Sequence, residues 1–268
     1  MDVDPEPDRG GFELGWSLLG IRFRIFPSFF LFSALLAGVL IWVVFPKLAV
    51  ETLIAGIAVD VACIFLALAF TGFVQGLVYR SYGIRSSVVI QEFGSGVHPE
   101  AMPPLRIQRI VVALASPASS FLLFALVYYS NQEWHWSRTS VYTEFAYLIL
   151  YIITLVWGVL GFLPMFPNPG GKVLMELLTF LTPRYGVQIT LGLSILIGLV
   201  VLADTAFLLV QGRSYIPWVN TLHTYIRIFI AIFFAMTTAQ NWQLLQRYRA
   251  PFLARRTNDY EDRSPWER

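Results

Sequence analysis

Long apolar runs recur along the chain, and the short segments between them carry most of the charged and turn-forming residues. A helix needs about 20 residues to cross roughly 30 Å of hydrocarbon. Six runs fit that requirement, near 27–46, 52–79, 110–130, 144–164, 187–211 and 218–238. The pattern predicts an all-α polytopic membrane protein with about six transmembrane helices.

Two local patterns interrupt this regularity. Arg22 and Arg24 alternate with apolar neighbours, and a period of two residues is typical of a half-buried strand. The fourth apolar run ends in Pro164, Pro167 and Pro169, each of which removes a backbone donor. Irregular backbone is tolerated at membrane depth only where it is packed inside protein or lines a cavity. We therefore predict a short half-buried strand near the N-terminus, and a pocket at the end of the fourth run.

Composition agrees with a membrane location and limits the chemistry. Hydrophobic residues make up 56% of the chain and charged residues 13%. The single cysteine, Cys63, excludes an intrachain disulfide and a cysteine-based metal site. No nucleic-acid-binding motif is present. Tryptophans near the span ends, Trp157 among them, are interpreted as interfacial anchors.

The basic residues predict the orientation. If both termini are cytoplasmic, 15 of the 19 lysines and arginines fall inside and three outside, with Arg227 within the sixth span. The positive-inside rule favours this arrangement, so we expect a multi-pass protein of a bacterial cytoplasmic membrane. We divide the chain into an acidic, disordered N-terminus at 1–14, a membrane domain at 15–246 and a charged cytoplasmic tail at 247–268. The acidic N-terminus lacks the basic region of a secretory leader, so no cleaved leader is expected.

The segment Gly161 to Leu174, which reads GFLPMFPNPGGKVL, closely resembles the second signature of the site-2 protease family, the intramembrane zinc metalloproteases of peptidase family M50. In that family the segment reads Asn-Leu-Leu-Pro-x-x-Pro-Leu-Asp-Gly-Gly-Arg, and its aspartate is a zinc ligand. Here Pro169 stands at the aspartate position. Zinc binds Cys, His, Asp or Glu side chains, so the resemblance implies that this ligand is lost.

The end of the second apolar run resembles the first signature of the same family, H-E-x-x-H-A-L-x-A-R-x-x-G-I. Leu77, Arg80, Gly83 and Ile84 set the register. The resemblance then places three further residues at essential positions, with Thr71 and Gln75 at the two histidines and Gly72 at the glutamate. Two histidines at i and i+4 share a helix face and bind one zinc, and the glutamate is the general base. All four essential groups are therefore replaced.

Three weaker matches extend the resemblance over nearly the whole chain. They are Gly15 to Ser28, similar to a strand pair before the first helix; Ala113 to Ser120, similar to Ala-x-Ala-Gly-Pro-x-x-Asn; and Gln240 to Gln246, similar to an Asn-x-Gln-x-Leu-Gln tail. Small residues in the second of these allow close helix contacts. The resemblance implies a site-2 protease-like core with a short N-terminal β hairpin and a loop hairpin after the second helix.

The resulting hypothesis is a catalytically inactive homologue, a pseudoprotease, that binds or regulates membrane-protein clients. Its expected partners are the lipid bilayer, transmembrane clients and an active relative, with no cofactor and no nucleic acid. Besides Thr71 and Gln75, the candidate client groove comprises Gly94, Ser95, Gly96, Asn168, Gly170 and Gly171.

Two alternatives stay open. In the first, the protein is an active intramembrane metalloendopeptidase that binds zinc through other ligands, for example Glu92, His98 or Glu176. In the second, it is a small transporter that uses Asp60, Asp204 and Arg227. Ionisable residues inside apolar spans are costly and often functional, although a structural ion pair or a protonated carboxyl would also explain them.

Overall fold

The computed structural model describes residues 14–91, 94–211 and 224–261, with the side chains of 209–211, 224–229 and 249–261 left aside. It is mostly helical, with one small sheet. The strands are β1 (Leu14–Leu18), β2 (Ile21–Ile25), β3 (Ser86–Gln91) and β4 (Gly94–Pro99). The helices are α1 (Pro27–Val44), α2 (Val50–Ser81), α3 (Arg106–Trp134), α4 (Val141–Phe162), α5 (Pro169–Leu181), α6 (Gly186–Gln211) and α7 (Thr224–Glu261), with a 3₁₀ turn at Trp136–Arg138.

Five of the described helices are long and apolar enough to cross a membrane, namely α1 to α4 and residues Gly186–Leu208 of α6. They match the first five predicted spans, and the protein is an integral membrane protein. The sixth predicted span, near 218–238, lies partly outside the described residues, and its described part belongs to α7. Helix α5, a short helix after the proline-rich segment, was not predicted from the sequence.

Contacts divide the chain into two compact units, Met1–Phe162 and Leu163–Arg268. The first contains the sheet, α1 to α4 and the 3₁₀ turn. The second contains α5, α6 and α7.

The sheet in the first unit has the strand order β1-β2-β3-β4. The predicted N-terminal hairpin is confirmed, with β1 and β2 antiparallel. Strands β3 and β4 form the second hairpin, after α2. A parallel pairing of β2 with β3 joins the two hairpins into one sheet, with Arg22 opposite Ser87. The sequence did not predict this union.

One face of the sheet, here called the inner face, packs along the second half of α2. Side chains alternate between the two faces of a strand, and Ile21, Phe23 and Val88 lie on the inner face. All three are at most 2% exposed. The Phe23 and Phe73 ring centroids are 6.4 Å apart, and those of Trp16 and Phe65 are 5.9 Å apart. The opposite side, here called the outer face, carries Arg22, Arg24, Ser87 and His98.

Small residues bring α3 and α4 close together. A Cβ on Gly161 would lie 2.8 Å from Cβ of Pro117, and one on Gly158 would lie 3.1 Å from the Phe121 ring. The buried Ser120 hydroxyl donates a hydrogen bond to the Thr154 carbonyl across the interface, at 2.8 Å. Interfaces of this kind are common between membrane helices because small residues let the backbones approach.

In the second unit, residues 163–168 form an irregular segment, as the three prolines predict, and α5 begins at Pro169. Proline suits the first position of a helix because its missing N–H would have no intrahelical partner there. Helices α6 and α7 pack together. The Thr238 side chain lies directly over Gly198, where any Cβ would overlap it.

Candidate functional site

Thr71 and Gln75 lie one helical turn apart on the buried side of α2, and they are 6% and 9% exposed. The Thr71 hydroxyl donates to the Leu68 carbonyl at 3.0 Å and lies 3.4 Å from the Ser95 hydroxyl on β4. The Gln75 amide donates to the Val112 carbonyl on α3 at 3.1 Å. The i, i+4 spacing of two metal ligands is therefore present, but each side chain donates a hydrogen bond to a main-chain carbonyl.

Gly72 is enclosed by the inner face of the sheet. A Cβ at this position would lie 2.5 Å from Cγ1 of Val88 and 3.6 Å from Cβ and Oγ of Ser95. Val88 is fully buried in the centre of β3. The space into which a side chain at position 72 would extend is therefore filled by Val88. Sequence reasoning missed Val88, because nothing in the local pattern indicates which strand residue faces the glycine.

The first residue of β4, Gly94, lies close to α4. Gly94 has a φ of +136°, a conformation that side-chain-bearing residues rarely adopt. A Cβ there would also lie 2.9 Å from Nε1 of Trp157. Trp157, interpreted from sequence as an interfacial anchor, thus lies against the hairpin. Of the candidate groove residues, Gly94, Ser95 and Gly96 come together on β4, with Ser95 against Thr71.

These side chains do not suit zinc. A threonine hydroxyl and a glutamine amide are neutral and weak zinc ligands. Both already make hydrogen bonds with main-chain carbonyls, and the amide uses its nitrogen, which has no lone pair to offer a metal. Gly72 supplies no carboxylate, and Val88 leaves no room for one. In the described residues, no three His, Cys, Asp or Glu side chains are grouped as metal ligands.

The second unit holds Pro169, Asn168, Gly170 and Gly171 at the start of α5. Asn168 precedes the helix, its N–H donates to the Met165 carbonyl at 2.9 Å, and its carbonyl accepts from Lys172 N–H at 3.0 Å. Gly171 packs so closely on the Met165–Phe166 peptide that any Cβ would overlap it. The second glycine of the Gly-Gly pair is therefore required by the fold of this segment.

Two polar side chains fix the backbone of Phe166 from opposite sides. The Phe166 N–H donates to the Ser194 hydroxyl on α6 at 2.9 Å. Its carbonyl accepts from Nδ2 of Asn241 on α7 at 2.5 Å, and the same nitrogen reaches the Thr237 carbonyl at 2.8 Å. Asn241 is fully buried. This Phe166 clamp gives partners to backbone groups that would otherwise be unpaired at membrane depth.

The sequence indicated one half of this clamp. Asn241 belongs to the C-terminal segment that resembles the family tail, although no role was assigned to it. Ser194 sits in an apolar run without a recognisable motif, so no local signal distinguishes it.

Of the alternative zinc ligands, His98 is not brought to Thr71 and Gln75. His98 lies on the outer face of the sheet, on the side opposite the inner-face residues that contact α2. Glu92 lies outside the described residues. Glu176 is a half-buried residue of α5, in the other unit.

The intramembrane ionisable residues are distributed over both units. Asp60 in α2 is 1% exposed, and its Oδ1 atom has no hydrogen-bond partner in the described part of the chain. Asp204 in α6 is 8% exposed. The side chain of Arg227 lies outside the described residues.

Comparisons with known proteins identify the fold. No protein-family model matches the sequence, and no curated protein matches it. The structure is similar to that of the site-2 protease from Methanocaldococcus jannaschii, with a TM-score of 0.55 and 17% sequence identity. The match covers 86% of this chain and 95% of the archaeal one. The chain therefore has a site-2 protease-like fold, as the sequence resemblance implied.

Proposed function

We propose that this membrane protein uses a site-2 protease-like fold without zinc or peptidase activity, and that it binds an extended segment of another membrane protein. The observation that carries the proposal is the packing of Val88 against Gly72. The loss of the glutamate alone would leave space beside Gly72. Here the buried side chain of Val88 fills that space, so a side chain acting as general base would not fit at position 72.

The hydrogen bonds of Thr71 and Gln75 support the same proposal. In a metal site, the side chains at these two positions would direct lone pairs at one ion. In this chain the Gln75 amide joins α2 to α3, and the Thr71 hydroxyl lies between α2 and β4. Both side chains therefore link α2 to its neighbouring elements, and both are buried.

Binding is attributed to the β4 edge of the sheet. Strand β4 pairs with β3 on one side, and no described strand pairs with its other side. An edge strand presents unpaired N–H and C=O groups, to which an extended segment adds as a further strand. Two of the first three residues of β4 are glycines, so side chains obstruct this approach little. Trp157 beside Gly94 offers an apolar surface next to the edge.

The occupant we propose is a single-span client whose helix unwinds locally, or the corresponding segment of an active relative. Both have extended backbone within or beside the bilayer that needs hydrogen-bond partners. We also propose that both termini are cytoplasmic, because the positive-inside rule favours that orientation. The proposed location is a bacterial cytoplasmic membrane, because the Gln240 to Gln246 segment resembles the tail of bacterial members of the family.

Site-specific photo-crosslinking in cells tests the proposal. A benzoylphenylalanine at Gly96 is placed on the edge strand, where an added Cβ has only ordinary contacts. The matched control carries it at Leu31, an α1 residue that is 78% exposed. We expect crosslinks to defined single-span proteins from position 96 and not from position 31. In Gly94→Val, the strained backbone and the contact with Trp157 displace the edge, and these crosslinks decrease.

The client identified by crosslinking is then purified and incubated with the purified wild-type protein, with and without a zinc chelator. We expect it to stay uncleaved in both samples. Chelator-sensitive cleavage would refute the absence of peptidase activity, and equal crosslinking from both positions would refute the edge-strand site.

A further inference from the structure

Three exposed arginines lie where α2 ends and where the parallel strands β2 and β3 begin. Arg80 lies in the last turn of α2, and its Nη1 atom is 3.0 Å from the position of a Cβ on Gly20, in the β1–β2 turn. Arg22 lies on β2, two residues after Gly20 and opposite Ser87 on β3. Arg85 directly precedes β3 and, two residues before Ser87, continues its side of the strand. We call Arg22, Arg80 and Arg85 the arginine rim.

The arginine rim borders an apolar surface. Leu18 and Leu19, in and beside the β1–β2 turn, are 50% and 64% exposed, and Leu77 on α2 is 37% exposed. Leu77 lies three residues before Arg80, which is about 4.5 Å along a helix axis. The apolar surface of a membrane-spanning helix marks the hydrocarbon, so the change from exposed leucine to exposed arginine marks the headgroup level.

The charge at this level is positive. Among the described residues near the rim, one carboxylate is evident, that of exposed Glu100, whose N–H donates to the Arg85 carbonyl at 2.9 Å. Arginine forms paired hydrogen bonds with phosphate oxygens, and basic clusters beside a membrane helix attract anionic headgroups.

We propose that the arginine rim is a binding site for the phosphate group of an anionic phospholipid, with Leu18 and Leu19 in contact with its acyl chains. The site selects anionic over zwitterionic lipids and fixes the depth of the sheet at the membrane surface. It is independent of the client-binding proposal, because it involves neither β4 nor the Thr71 region.

Native mass spectrometry of the detergent-purified full chain tests this site, with phosphatidylglycerol and phosphatidylcholine as probes. We expect preferential binding of phosphatidylglycerol to the wild type. Each arginine near an anionic surface is worth a factor of about five in affinity, so R22Q/R80Q lowers binding about 30-fold. The charge-matched control K47Q/R138Q removes two exposed cations from other parts of the first unit and leaves binding within about twofold of wild type. If R22Q/R80Q does not fold, R22Q/R85Q tests the same rim without altering the residue over Gly20.

Three results would overturn the proposal. Equal affinity for the two lipids removes the anionic selectivity. An equal loss in the control variant reduces the effect to net charge. Displacement of phosphatidylglycerol by millimolar inorganic phosphate, in the wild type but not in R22Q/R80Q, assigns the site to free phosphate instead of lipid.

Discussion

Replacing Gly72 with alanine adds one methyl group between α2 and β3 and tests the packing on which the proposed function depends. The new Cβ would lie 2.5 Å from Cγ1 of Val88, and ordinary contact begins at 3.4 Å. Restoring ordinary contact therefore requires one of the two elements to shift by about 0.9 Å. Val88 is fully buried and its β-branched side chain has few alternative rotamers, so the strain is not relieved locally.

We expect G72A to lower the free energy of unfolding by about 1–3 kcal/mol, the usual cost of overpacking. A Gly-to-Ala change in an unobstructed helix interior has the opposite sign, because alanine is the better helix former by about 1 kcal/mol. Gly192 in α6 is the matched control, since nothing lies within 4 Å of a Cβ there. G192A should therefore be neutral or stabilising. The difference in sign between the two variants isolates the contact with Val88.

A double-mutant cycle assigns the effect to Val88. V88A removes Cγ1 and costs about 1–3 kcal/mol alone through lost packing. In G72A/V88A the nearest remaining contact is Ser95 at 3.6 Å, which is ordinary. The double variant should be about as stable as V88A, giving a coupling energy of about 1–3 kcal/mol. Stability is measured by equilibrium unfolding in mixed micelles, followed by circular dichroism. Two results would contradict this contact: G72A as stable as the wild type, or a double variant whose destabilisation equals the sum of those of G72A and V88A.

Two other predictions concern the second unit. N241L removes the amide that donates to the Phe166 carbonyl, so we expect faster proteolysis within 163–168 and a free energy of unfolding lower by about 1–3 kcal/mol. Q243L, at an exposed residue nearby, is the control and should change neither quantity. Equal protease resistance in the two variants would show that the Phe166 clamp does not stabilise this segment. G198A should separate α6 from α7 and lower the midpoint of thermal unfolding relative to G192A, and coincident unfolding curves would contradict the close contact.

The membrane-spanning helices were predictable because the features that define such a helix lie within one short stretch of sequence. A run of about 20 apolar residues satisfies its own backbone and needs no distant partner. The three prolines likewise predicted the irregular backbone at the end of the fourth run, since each of them removes a backbone donor. Helix α5 was missed because it is too short to span a membrane, and it follows the prolines that suggested only an interruption.

The packing of the site was not predictable in the same way. The i, i+4 spacing placed Thr71 and Gln75 on one helix face, as the structure shows. Their partners on other elements lie far away in sequence, since Ser95 is 24 residues from Thr71 and the carbonyl that accepts from Gln75 is 37 residues later. Val88 reaches Gly72 because β3 packs along α2, and that packing is a tertiary property. A glycine in the sequence signals close approach without naming the residue that approaches.

The first measurement to make is the zinc content of the detergent-purified wild-type protein, by elemental mass spectrometry beside a chelator-treated sample. We expect zinc well below one atom per chain, unchanged by the chelator, because Thr71, Gly72 and Gln75 offer no suitable ligand. Zinc close to one atom per chain that the chelator removes would contradict it, and would mean that other side chains complete a metal site in this fold.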